Sequence, residues 1–75
     1  MKFSKNYRVL RLYVCFEEGK CININQAANE FQVNVRTIQR DIADIRASLA
    51  VEIIEKGYGR IIIYNRIKNE YLIDI

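Results

Sequence analysis

Arg36, Gln39 and Arg40 stand close together in the chain, and their side chains suit one chemistry above others. A guanidinium offers a planar fork of donors, and a glutamine amide offers one donor group and one acceptor. These groups match the hydrogen-bonding edges of bases in a DNA major groove, arginine to guanine and glutamine to adenine. Thr37 adds a short hydroxyl that either steadies a helix start or reaches a phosphate oxygen. Lys56 and Arg60 bracket Gly57-Tyr58-Gly59, and cations at a loop tip suit phosphate contact, which positions a protein on a duplex without reading its sequence. Tyr58 is either exposed filler or a groove or sugar contact. Other chemistries are poorly supplied. The chain has no His, no glycine-rich phosphate cradle and no acid pair spaced for proton transfer, so neither an enzyme nor a cofactor is expected.

Those side chains need a helix to carry them. Ile38, Ile42, Ile45 and Leu49 recur at steps of four, three and four, which predicts an amphipathic helix from Val35 to about Leu49 with Asn34 as its cap. At 100° per residue, Arg36, Gln39, Arg40, Ala43 and Ala47 gather on the opposite face, with Asp41 and Asp44 at the flank. The small alanines would let that face approach another molecule closely. Asp41 is expected to partner a nearby arginine. A shorter helix, Gln26–Phe31, precedes it, capped by Asn25 and buried through Ala27, Ala28 and Phe31. Earlier still, Lys5 to Glu18 carries one stripe at Val9, Leu12, Tyr13 and Phe16 and a second at Tyr7, Leu10 and Val14, and Gly19 stops it. Lys5 and Arg8 either touch a DNA backbone or keep this helix soluble.

Cys21-Ile22-Asn23-Ile24 alternates like a brief strand. Val51–Glu55 and Arg60–Asn65 are isoleucine-rich and separated by two glycines, which predicts a hairpin with Lys56 and Arg60 at its tip. From Arg66 the pattern fits two periods: Ile67, Tyr71, Ile73 and Ile75 suit a strand, while Ile67, Tyr71 and Ile75 also suit a helix. The expected organisation is α+β, three helices plus a β-hairpin, over 1–65, followed by a tail at 66–75.

Composition permits this architecture. With 75 residues and 51% hydrophobic content the chain holds one small domain with a core. The net charge of +3 is concentrated in the first 20 residues and is compatible with a nucleic-acid partner without requiring one. Cys15 and Cys21 are too few for a zinc site. Cys15 falls within the first helix and reads as a small core residue, with a disulfide to Cys21 left open. No apolar run reaches the length of a membrane span, and no leader sequence is evident, so a cytoplasmic location is expected.

Two short helices joined by a tight turn, the second basic on its outer face, form a helix-turn-helix arrangement. The run Gln26-Ala-Ala-Asn-Glu-Phe-Gln-Val-Asn-Val-Arg-Thr-Ile-Gln-Arg-Asp-Ile resembles the helix-turn-helix of the DeoR family and of regulators carrying a WYL effector domain. Val33, Arg36-Thr37-Ile38 and Arg40-Asp41-Ile42 stand at that pattern's characteristic positions, and the resemblance extends over roughly 7–65. It implies a winged helix-turn-helix with Arg36, Thr37 and Arg40 on the helix that faces DNA. Gln32 replaces the glycine usual in the turn, and Asn34 replaces a serine of equivalent capping power. Effector sensing, on this resemblance, lies outside these residues.

The expected function is therefore sequence-specific binding of double-stranded DNA in transcription regulation, as a homodimer, since one module of this size covers too little DNA for a selective site. Two surfaces are candidates for the pairing: the second stripe of the first helix, and the tail with Ile67, Tyr71, Leu72 and Ile73. The tail is preferred, because a winged core is expected to be complete by Asn65. The competing expectation is a winged module that binds protein through its apolar first helix and tail, against which the basic outer face of the third helix counts.

Overall fold

Short polar side chains start all three helices. In the computed structural model, which describes residues 3–74, Ser4 caps α1 (Lys5–Glu17), Asn23 caps α2 (Ile24–Phe31) and Asn34 caps α3 (Val35–Lys56). Each side-chain oxygen accepts the N–H three residues on, at 3.1, 3.0 and 2.8 Å respectively, which satisfies a donor that the helix itself leaves orphaned. α2 is thus capped by Asn23 and begins at Ile24, rather than being capped by Asn25 and beginning at Gln26 as expected. The earlier start places Ile24 in one buried stripe with Ala27 and Ala28, and the strand expected at 21–24 shrinks to β1 (Ile22–Asn23).

The largest departure from expectation follows Leu49. Residues 51–55 are not a strand, because α3 continues through them to Lys56. Leu49 is buried and Ile53, one turn later, is half-buried, so the apolar stripe continues past its expected end. Gly57 closes the helix at φ 79°, a left-handed conformation that glycine adopts without steric cost. Gly59 then lies so close to α3 that an added Cβ would stand 2.8 Å from Ile53 Cγ1. The two glycines reverse the chain over the end of α3 and do not form a hairpin tip.

The hairpin lies further on, between β2 (Ile61–Asn65) and β3 (Glu70–Asp74). The three strands form an antiparallel sheet in the order β1-β3-β2, with Ile22 and Tyr64 each opposite Tyr71 and Ile62 opposite Ile73. The segment beyond Asn65 is therefore no detached tail: 66–69 turn and 70–74 supply the central strand. Tyr71 and Ile73 pack against the core, which removes the premise on which that segment was preferred for pairing two copies. Ile75 lies outside the described residues.

The core joins Leu12 and Phe16 of α1, Ile24, Ala27 and Ala28 of α2, Ile38, Ile42, Ile45 and Leu49 of α3, and Ile62 of β2. Three helices followed by a hairpin, with a short strand between α1 and α2 completing the sheet, give the α+β layout of a winged helix. No helix among the described residues is long and apolar enough to cross a membrane.

Candidate nucleic-acid interface

α2 and α3 are joined by a turn that needs one left-handed residue. Gln32 supplies it, at φ 57° and ψ 43°, where an L-residue other than glycine pays a steric cost. The Val33 N–H then bonds back to the Ala28 carbonyl at 3.0 Å. The turn closes as it would with glycine, and α3 starts two residues later.

Burial of the isoleucine stripe fixes which side of α3 faces out. Arg36, Gln39, Arg40, Ala43 and Ala47 are all exposed, opposite Ile38, Ile42, Ile45 and Leu49. Thr37 is half-buried and belongs to the cap: its hydroxyl donates to Asn34 Oδ1 at 2.9 Å, beside its own N–H. That bond commits the single hydroxyl donor of Thr37 to the cap and leaves the oxygen only as an acceptor.

The charges of α3 are sorted by side. Asp41 is 1% exposed and bound by Arg8, whose Nε donates to Oδ2 at 2.8 Å and Nη2 to Oδ1 at 3.4 Å. Arg8 is accordingly neither a backbone contact nor a solubilising charge. Asp44 pairs with Lys5 at 2.9 Å. Both acids in this part of α3 are thus answered by cations of α1, while neither Arg36 nor Arg40 forms an ion pair among the described residues. Arg36 also lies in the first turn, at the positive end of the helix dipole, where a cation weakens the helix. Its position does nothing for α3 itself and leaves its donors free for an external acceptor.

Lys56 and Arg60 are not at a wing tip. Lys56 ends α3 and pairs with Glu52 at 3.3 Å. Arg60 turns back to α1, where Nη2 donates to the Tyr13 hydroxyl at 3.0 Å and Nη1 to the Glu17 carboxylate. The guanidinium holds the Glu17 carboxyl below its usual range, with Tyr13 adding to the effect, and the Tyr13 and Glu17 contacts in turn raise the pKa of Arg60. Tyr58 is exposed, but in the α3–β2 connection. The observed wing turn is Arg66-Ile67-Lys68-Asn69, with Arg66 and Lys68 exposed. Sequence reasoning missed both cations, though Asn65 and Asn69 were available as signals. Asn65 Oδ1 accepts the N–H groups of Ile67 and Lys68 at 3.0 and 3.2 Å, and Asn69 takes φ 54°.

Arg46 links helix and wing: Nη2 donates to the Ile62 carbonyl at 3.3 Å, and the guanidinium lies 6.0 Å from the Tyr71 ring centre. Cys15 packs against the core as a free thiol, and Cys21 is free and exposed. No family model, curated protein or solved structure matches the chain.

Proposed function

We propose that this domain binds double-stranded DNA sequence-specifically as part of a transcription regulator, in the manner of the DeoR- and WYL-type regulators it resembles. The first half of α3 enters the major groove, where Arg36, Gln39 and Arg40 meet base edges. Arg66 and Lys68 of the wing turn meet the phosphate backbone in place of Lys56 and Arg60. The observation that carries this reading is the charge sorting in the first half of α3, where Asp41 and Asp44 pair with cations of α1 while Arg36 and Arg40 are exposed and form no ion pair among the described residues. The working form is a homodimer in the cytoplasm. Of the two pairing surfaces weighed from sequence, the α1 stripe keeps its support, because Tyr7, Leu10 and Val14 are 46, 64 and 41% exposed.

That same stripe favours the second reading, a winged module that docks on protein. The two readings separate in one titration against a labelled duplex of mixed sequence. DNA binding requires complexes at low salt that weaken steeply between 50 and 200 mM, by roughly one log unit of affinity per log unit of salt for each phosphate contact. Absence of any complex at low salt supports the protein-docking reading instead.

A further inference from the structure

Burial of the Ile38, Ile42, Ile45, Leu49 stripe sets which side of α3 faces the core, but hydrophobic contacts carry no direction of their own and tolerate small rotations about the helix axis. Among the directional contacts that α3 makes with its neighbours, the Arg8–Asp41 pair is the buried one. A guanidinium fork meeting a carboxylate constrains angle as well as distance. Here Nε and Nη2 meet the two oxygens at 2.8 and 3.4 Å, and Nη1 donates to the Phe3 carbonyl at 3.2 Å. Phe3 stacks on Tyr7 at 5.2 Å and meets Phe31 of α2 edge-on at 5.6 Å. One buried side chain therefore ties α3 to α1 and to a ring cluster that also includes α2.

We infer that Arg8 and Asp41 are positioning residues for base reading, setting the rotation of α3 about its axis. The inference rests on the DNA-reading proposal above. Asp41 lies about 160° round the helix from Gln39 and Ala43, so the anchor is behind the reading face. A rotation of about 20° would carry side-chain tips some 2 Å along an arc, given a helix radius of about 5–6 Å. Hydrogen bonds to base edges do not survive a displacement of that size. A buried ion pair is weak evidence of stabilisation, since well-packed apolar replacements are often neutral, and a role in structural specificity is the alternative reason for its presence.

The test compares the wild-type chain with the double variant Arg8→Met, Asp41→Leu. The probes are a duplex enriched by the wild type from a randomised pool and a scrambled duplex of equal length. The double variant is expected to melt within about 5 °C of wild type and to bind the scrambled duplex equally well at low salt. Its preference for the enriched duplex should fall by about tenfold, the scale of one lost base contact. An undiminished preference in a folded double variant overturns the inference. Arg8→Lys, which keeps the charge and loses the fork, is the second arm should the double variant not fold. Its preference should fall as well, and full retention is equally fatal. A wild-type chain that binds both duplexes equally overturns the inference together with the proposal beneath it, and does so before any variant is made.

Discussion

Arg60 donates to the Tyr13 hydroxyl at 3.0 Å, joining residues 47 positions apart and tying the approach to β2 onto α1. That bond, with the Glu17 pair beside it, takes the cation away from the wing and makes it a strut. The two cations flanking the paired glycines therefore have structural partners, and those free to meet a phosphate backbone are in the next turn along the chain.

The wing assignment has a direct ionic readout. Replacing Arg66 and Lys68 together by Ala should reduce the log–log salt slope of duplex binding by about two units, one per phosphate contact. Lys56→Ala should leave the slope unchanged. Isothermal titrations at four salt concentrations decide between them, and the opposite pattern restores the tip to Lys56.

How far the sequence revealed this arrangement depended on which signal acted locally. The Ile38, Ile42, Ile45, Leu49 stripe placed the start of α3 and its outer face correctly but not its end at Lys56, since a helical period over several turns leaves little freedom within the stripe. The pairing of Asp41 with an arginine was legible too, because a carboxylate at the edge of a buried stripe needs a cation. Val51–Glu55 misled, since β-branched residues favour strands locally while packing of Ile53 beneath Gly59 decides otherwise. The wing turn Arg66–Asn69 has no glycine, so glycine signals pointed ten residues too early, to 56–59; the Asn65 side chain accepts the N–H groups that close the turn.

Gln32 is the chain's departure from the turn glycine, and its left-handed backbone makes a stability test simple. Gln32→Gly relieves about 1–2 kcal/mol of steric cost and returns about 0.5–1 kcal/mol as lost entropy. The melting temperature should rise by about 4 °C. A lower melting temperature means that the glutamine side chain holds this turn by contacts of its own.

Glu17 gives the fold a pH signature. Its carboxyl is held below the usual range by Arg60 first and Tyr13 second. The stabilisation is thus fully present above the unfolded value of about 4.3 and is lost as pH falls through the lower folded value. Melts of wild type and Glu17→Gln from pH 7 to pH 3 should differ at neutral pH and converge in acid. A constant gap across that range contradicts the pairing.

β3 is the central strand, so a chain ending at Asn65 loses the partner of both β1 and β2. Such a truncation should show no cooperative thermal transition by circular dichroism. A sharp melt comparable to the full chain would show that the helices alone hold the fold.

The central claim is that the outer face of α3 reads DNA, and fluorescence anisotropy on the enriched duplex tests it most directly. Arg36→Ala, Gln39→Ala and Arg40→Ala remove exposed side chains, so none should melt below wild type, and Arg36→Ala should melt slightly above it because a cation leaves the first turn of α3. Each residue that reads a base should weaken binding to the enriched duplex by about 1–3 kcal/mol and relax the preference at one base position. Affinities unchanged in all three variants would contradict the account.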